Sequence, residues 1–150
     1  MLDKLFQPQP AGVVGDIDNC QVIEDFGNAP SLIIRRDSTW RVRLQFHING
    51  PLALGLGGDW LVKSFLESIG DNFEGQVGGQ VVPLAAGVFV APDRKNYTVE
   101  IPVGTAQSLG VQECAYKLVT TITYRQPSVQ PGPLAGYCEE HMLQFYNAVP

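Results

Sequence analysis

The stretch from residue 40 to 48 constrains the fold of this chain more than any other. Large apolar and polar side chains alternate through it without a break: Trp40, Val42, Leu44, Phe46 and Ile48 against Arg41, Arg43, Gln45 and His47. Successive side chains of a β-strand point to opposite faces, so this period of two predicts a strand with one buried face. Strands of antiparallel sheets that cover a core on one side read this way.

Length and composition narrow the protein class. With 150 residues, of which 45% are hydrophobic and 17% charged, the chain is expected to form one globular domain. Its 16 glycines and 11 prolines predict many turns. The net charge of −5 disfavours a nucleic-acid partner, because phosphate binding needs a basic face. We interpret the neighbouring arginines as a solvated sheet face: Arg35, Arg36, Arg41 and Arg43.

The sequence contains neither a signal-peptide pattern nor an apolar stretch of the ~20 residues that a membrane span needs. Its three cysteines, Cys20, Cys114 and Cys138, lack the dense, even spacing of a secreted disulfide scaffold. We therefore favour an intracellular location, with export without a cleaved leader left open. We also expect that the thiols do not form a disulfide framework.

Residues 1–28 differ from the rest, because prolines and glycines interrupt every apolar run. This pattern predicts an extended N-terminal arm before a sandwich domain at 29–150. The arm still carries large apolar side chains that favour burial, either along its own sandwich or along a neighbouring copy's open strand edge. The candidate self-association residues are Leu2, Leu5, Phe6, Val13, Val14 and Ile17.

Short strand-like segments separated by turn residues follow the arm. They are residues 31–35, 40–48, 73–84, 88–90, 97–103, 114–124 and 137–146, the last with a bulge considered at Glu139-Glu140. Residues 60–69 fit a helix, since Leu61, Phe65 and Ile69 recur every four residues, but the surrounding short strands favour a strand. The predicted core consists of Trp40, Val42, Leu44, Phe46, Tyr97, Val99, Ile101, Tyr116, Leu118 and Ile122.

The order of these features over residues 31–146 resembles an immunoglobulin-like sandwich. Trp60 follows the first alternating strand, and Tyr116-Lys117-Leu118 resembles the tyrosine corner of that fold. Antibody domains have a cysteine where this chain has Leu118, so their inter-sheet disulfide is absent here. The resemblance implies an all-β, immunoglobulin-like antiparallel β-sandwich of about 7–8 strands with the N-terminal arm, and it names no family.

Motifs for catalysis or cofactor binding are not recognisable. His47 stands in no nucleophile context, and the run Gly55-Leu-Gly57-Gly58 lacks the lysine of a phosphate loop. Cys138-Glu-Glu-His141 places two types of metal ligand three residues apart, and Cys20 or Cys114 could complete a zinc site. A structural zinc site normally shows two such pairs. We therefore expect no metal, no cofactor and no catalytic residue.

These observations favour a non-enzymatic structural or protein-interaction domain that self-associates through strand edges and its N-terminal arm. Its expected partner is itself, as a homo-oligomer, or another protein, with neither nucleic acid nor a membrane span involved. The alternative is a small-ligand or carbohydrate-binding β-sandwich module. Such a module would use aromatic side chains on loops or a sheet face: Trp60, Tyr124, Tyr137 or Tyr146.

Overall fold

The structure, a computed structural model, describes residues 14–27, 29–50, 57–70, 73–127 and 131–147. Its strands are β1 (Val14–Glu24), β2 (Ala29–Pro30), β3 (Ile33–Arg35), β4 (Trp40–Asn49), β5 (Asp59–Ser68), β6 (Gly75–Pro83), β7 (Val88–Ala91), β8 (Arg94–Val103), β9 (Ala115–Arg125) and β10 (Pro131–Tyr146). A 3-10 turn at Leu84–Ala86 and a short helix α1 at Ala106–Leu109 are also present. Within the described ranges, no helix is long and apolar enough to cross a bilayer.

Two five-stranded sheets pack face to face. The first has the order β2-β1-β4-β8-β7 and the second β3-β10-β9-β5-β6. The predicted all-β sandwich is confirmed, and it has short extra strands beyond the about 7–8 expected. Among the described residues the pairing of β3 with β10 is parallel, and the other strand pairings are antiparallel as expected. We call the sides of the sandwich the β6–β7 side and the β1–β10 side, the latter bearing the short strands β2 and β3.

The core follows from the alternation in β4. The side chains of that strand are alternately buried and half-buried along its whole length. All ten predicted core residues are at most 3% exposed. An aromatic cluster lies at the centre, where the Phe46 ring stacks on Tyr97 at 4.8 Å between centroids and meets Trp60 edge-on at 5.6 Å. Each fully buried side chain of this size contributes roughly 1.5–3 kcal/mol through the hydrophobic effect.

Residues 60–69 lie in strand β5 up to Ser68, so the strand interpretation is confirmed and the helical one is wrong. The buried positions of β5 alternate, beginning with Trp60 at 0% exposure. One of these inward positions is Ser64, whose hydroxyl is hydrogen-bonded to the Thr120 hydroxyl at 2.9 Å. This bond satisfies two polar groups that would otherwise be costly to bury.

Tyr116 makes the contact that a tyrosine corner requires. Its hydroxyl oxygen accepts a hydrogen bond from the backbone N–H of Gln112, 2.9 Å away and four residues upstream. Burial raises the pKa of this phenol, an effect that the Gln112 N–H partly offsets. The bond fixes the approach of the chain to β9.

From residue 14 onward, where the structure describes the chain, the prediction of an extended N-terminal arm is wrong. Val14–Glu24 is not an arm but strand β1, which pairs with β4 from Val14 to Glu24 and lies inside the first sheet. The domain boundary predicted at residue 28 is therefore placed too late. Residues 1–13 lie outside the described residues.

Candidate functional site

The predicted self-association residues separate into two groups. Leu2, Leu5, Phe6 and Val13 lie outside the described residues, and Val14 begins β1. Ile17 is 2% exposed and belongs to the core cluster, because it occupies an inward position of β1. Ile17 is therefore unavailable to a partner, and its assignment to association is wrong.

The aromatic residues considered for ligand binding separate in the same way. Trp60 is 0% exposed and Tyr124 is 7% exposed, since both occupy inward strand positions. The Tyr124 hydroxyl donates to the Gly57 carbonyl at 2.7 Å, and burial raises the pKa of this phenol. Neither ring can form an accessible platform. Tyr137 on β10 is 40% exposed, and Tyr146 at the end of β10 is half-buried.

The β6–β7 side exposes an apolar strand edge. Strand β7 is the outermost strand of the first sheet in the described residues, and all four of its side chains are exposed. Val88, Phe89 and Val90 are exposed by 65%, 46% and 57%. Natural proteins usually protect such edges with charges, prolines, bulges or short length. Strand β7 has the short length and an irregularity before Ala91, but no charge.

A cleft lies on the outer face of the second sheet. Its volume is about 360 Å³, and its lining residues are Leu61, Val62, Lys63, Gln76, Gly79, Gln80 and Val81. Residues of the neighbouring strands extend this surface across the sheet. Lys63 on β5 pairs with Thr121 on β9, and Thr121 pairs with Tyr137 on β10. Around the cleft this face therefore combines apolar side chains, amides, hydroxyls, the Lys63 ammonium group and an exposed aromatic ring.

The outer face of the first sheet is charged. Arg41 and Arg43 each contact Glu100 through Nε at 2.8 Å, and His47 contacts Asp18 at 2.8 Å. Exposed pairs of this kind contribute up to about 1 kcal/mol each. Arg41 and Arg43 thus lie on a sheet face where acidic groups balance their charge, as interpreted. Arg35 does not lie on this face, because it belongs to β3 of the second sheet and pairs with Asp37, and Arg36 follows β3.

Three residues of metal-binding types meet on the β1–β10 side. The thiols of Cys20 and Cys138 and the imidazole of His141 have ligand atoms that all lie within 4.8 Å of one another. Cys20 is 7% exposed and Cys138 is 2% exposed, while His141 is half-buried. Cys114 lies elsewhere, in the connection before β9. We call this group the thiol–imidazole cluster.

Irregularities in both sheets bring the cluster together. Strand β10 advances three residues, from Cys138 to His141, while its partner β9 advances two, from Thr120 to Leu118. Residues three apart on a regular strand face opposite ways, but the extra residue turns both of these inward. This irregularity confirms the bulge considered at Glu139-Glu140. A second one follows Ile17 in β1.

The imidazole also joins the two sheets. Its Nε2 is 2.6 Å from the carbonyl oxygen of Cys20. A carbonyl can only accept, so Nε2 carries the proton in this bond, and in the neutral imidazole Nδ1 keeps its lone pair. The sequence indicated the Cys138–His141 pair, whereas Cys20 joins it only through the packing of the two sheets.

Comparison with known proteins informs the fold. No family model matches the chain, and no curated protein matches it. Among solved structures, the C-terminal domain of Wzt matches with a TM-score of 0.54 and 9% sequence identity, covering 90% of this chain and 75% of that chain. At this identity the likeness shows the fold alone. The protein is therefore an all-β domain of the β-sandwich class.

Proposed function

We propose that the chain is a non-enzymatic structural or protein-interaction domain that self-associates through its strand edges. The observation that carries this proposal is the apolar edge on the β6–β7 side. Val88, Phe89 and Val90 are consecutive and each at least 46% exposed. The net charge of −5 is spread over other parts of the chain, since β7 itself has no charged residue.

The occupant of this edge is a second copy of the same chain. An outermost strand presents backbone N–H and C=O groups that another strand can pair with, and alternate apolar side chains are buried as it does so. Two copies of β7 in antiparallel register form a closed, two-fold symmetric contact. The four-residue length of β7 limits that contact to a small one, so we expect an equilibrium that depends on concentration.

Sedimentation velocity over a wide concentration range tests this function. The wild-type chain is expected to shift from monomer to dimer, and Val88→Lys to remain monomeric because the interface would bury an ammonium group. Ile69→Lys is the matched control, since Ile69 is 69% exposed and lies after β5 rather than on β7. A wild-type chain that stays monomeric would contradict the proposal, and a Val88→Lys variant that still dimerises would contradict the assignment of the interface to β7.

Residues 1–13 form a second part of the proposal, through Leu2, Leu5, Phe6 and Val13. A truncation that tests them must stop before Val14, because removing residues 14–24 would remove β1 from the first sheet. Loss of association on deleting 1–13, with Val88→Lys unaffected, would assign association to this segment instead of β7. Loss in both variants would assign it to the two together.

A second candidate function is the binding of a carbohydrate or another small polar ligand on the outer face of the second sheet. The cleft of about 360 Å³ favours it, because hydrogen-bonding groups of Lys63, Gln76 and Gln80 line it together with the apolar Leu61 and Val81. Exposed Tyr137 offers a ring on which a sugar face can stack.

Thermal shifts measured against a panel of neutral oligosaccharides test this second function. A ligand that binds the folded state raises the melting temperature, and Lys63→Ala and Tyr137→Ala should each reduce that shift. Arg43→Ala, on the outer face of the first sheet, should leave it unchanged. If no oligosaccharide raises the melting temperature, or if both cleft variants show the same shift as the wild type, this face is excluded as the binding site.

A further inference from the structure

We propose that the thiol–imidazole cluster of Cys20, Cys138 and His141 is a binding site for one thiophilic divalent cation, with Zn²⁺ the best match. This site is independent of the self-association proposed above. Its ligands come from β1 of the first sheet and β10 of the second, so a bound ion joins the two sheets directly.

The spacing of the ligand atoms fits such an ion after a small adjustment. Tetrahedral Zn²⁺ with Zn–S bonds of ~2.3 Å and Zn–N bonds of ~2.0–2.1 Å places its ligand atoms roughly 3.4–3.8 Å apart. The three atoms here lie within 4.8 Å of one another. Side-chain rotations that close each separation by about 1.4 Å or less are sufficient. His141 is half-buried, which leaves the fourth position to a water molecule on its solvent side.

Charge balance favours a divalent ion at this depth. Binding exchanges the two thiol protons for the metal: Zn²⁺ and two thiols give a neutral zinc dithiolate and two released protons. The neutral imidazole adds a nitrogen lone pair without changing the charge. The result carries no net charge between two cysteines that are 7% and 2% exposed, so it avoids the cost of an isolated buried ion.

The hydrogen bond of His141 prepares the imidazole for this role. Metal-binding histidines commonly donate their second N–H to a carbonyl or carboxylate, which fixes the tautomer and the ring orientation. Here Nε2 lies 2.6 Å from the Cys20 carbonyl oxygen, so in the neutral tautomer that donates this bond Nδ1 carries the lone pair that a metal ion needs. One ligand residue therefore orients another.

The bulge in β10 distinguishes a metal site from a simple pair of thiols. A disulfide between Cys20 and Cys138 would need only those two residues. The extra residue between Cys138 and His141 has the additional effect of turning His141 to the inner side, where a regular strand would present it outward. The fold thus delivers a third ligand that disulfide chemistry does not require.

The test uses the full-length protein, stripped of metal and reduced with a phosphine, and titrates it with Co²⁺. We expect saturation at one Co²⁺ per chain, with the near-ultraviolet thiolate-to-cobalt charge-transfer band and the visible d–d bands of tetrahedral cobalt. Zn²⁺ should displace Co²⁺ and raise the melting temperature. Binding should release two protons, measurable in weakly buffered solution.

Variants assign the ligands. Cys20→Ala and Cys138→Ala should abolish the charge-transfer band, and Cys114→Ser is the matched control that should retain it. His141→Gln should weaken binding more than the 10–100-fold that loss of an orienting partner costs. Because His141 is half-buried, it is the position of the three that best tolerates substitution. Circular dichroism of each metal-free variant identifies any variant that fails to fold.

Three results would overturn the proposal. They are no thiolate-to-cobalt band in the reduced wild type, a band that persists in Cys138→Ala, or full affinity in a folded His141→Gln variant. If the first of these results is accompanied by a Cys20–Cys138 disulfide under oxidising conditions, the pair is a redox couple instead.

Discussion

The β6–β7 side and the β1–β10 side of the sandwich are closed by different chemistry. On the β6–β7 side the chain passes between the sheets through Leu84–Ala86, and Leu84 is fully buried. The Leu84 carbonyl accepts hydrogen bonds from the Tyr97 hydroxyl at 2.7 Å and from Lys95 Nζ at 3.2 Å. On the β1–β10 side, His141 bonds to the Cys20 carbonyl, with two thiols beside it.

The β6–β7 side is therefore stabilised by close packing, whereas the β1–β10 side carries groups that can react. The chain also crosses between the sheets on the β1–β10 side, from β2 to β3, but Leu32 and Ile33 are 47% and 60% exposed there. Backbone, aromatic and aliphatic groups on the β6–β7 side do not react with metals or oxidants, whereas thiols and imidazole do. We expect the first side to respond to changes of side-chain volume and the second to metal ions.

The largest effect on stability is expected at a core residue midway between the two sides. Leu44 lies on β4, the middle strand of the first sheet, and is 0% exposed. Leu44→Ala removes buried methyl groups and leaves a cavity, so the free energy of unfolding should fall by about 2–5 kcal/mol in urea titrations. A loss of less than about 0.5 kcal/mol is typical of a surface position and would contradict this packing.

A smaller effect, confined to the β6–β7 side, is expected at Gly87. A Cβ there would lie 2.6 Å from the Tyr97 ring, although the backbone at φ −66° tolerates any residue. Gly87→Ala should therefore destabilise the protein by about 1–3 kcal/mol through overpacking.

Gly27→Ala is the matched control, because a Cβ at Gly27 meets nothing within 4 Å. It should be neutral, or stabilising by up to about 1 kcal/mol through the entropy of the unfolded chain. Equal unfolding free energies for the two variants would mean that the Tyr97 ring moves away from the added Cβ at no energetic cost. The β6–β7 side would then not depend on shape, and the contrast between the sides would fail.

Sequence reasoning identified strands best where their side chains alternate regularly. The alternation of 40–48 identified β4 and its buried face correctly. Leu61, Phe65 and Ile69 left β5 ambiguous because a spacing of four fits a helix and is also a multiple of the strand period. Strand β1 was missed, since the irregularity after Ile17 shifts the inward positions from odd to even numbers, where Cys20 follows.

The same irregularity explains how much of the thiol–imidazole cluster could be foreseen. Cys138 and His141 are close in sequence, so their pairing as potential ligands was evident. Cys20 lies 121 positions from His141, and only the packing of β1 against β10 unites them. Without β1 as a strand, Cys20 and Cys114 could not be told apart as the third ligand. The exposed edge at β7 was equally hidden, because its position in the sheet is a property of topology.

The smallest effect concerns one hydroxyl group on the β6–β7 side. Tyr97→Phe removes the donor to the Leu84 carbonyl while Lys95 Nζ still reaches it. The expected loss at neutral pH is about 0.5–1.5 kcal/mol in the free energy of unfolding, the usual contribution of one hydrogen bond.

The pH dependence of that loss tests whether this side is as tightly buried as its packing requires. Burial raises the pKa of Tyr97 above its ordinary 10.0, an effect that the Trp60 indole partly offsets. The folded state therefore holds the phenol proton more tightly than the unfolded state does. The resulting stabilisation is complete below pH 10.0 and is lost as the pH rises through the raised pKa.

The difference between wild type and Tyr97→Phe in urea titrations should accordingly shrink above pH 10.0. A difference that stays constant across that range would mean that water reaches the Tyr97 hydroxyl in the folded protein, and the β6–β7 side would then be as open as the β1–β10 side.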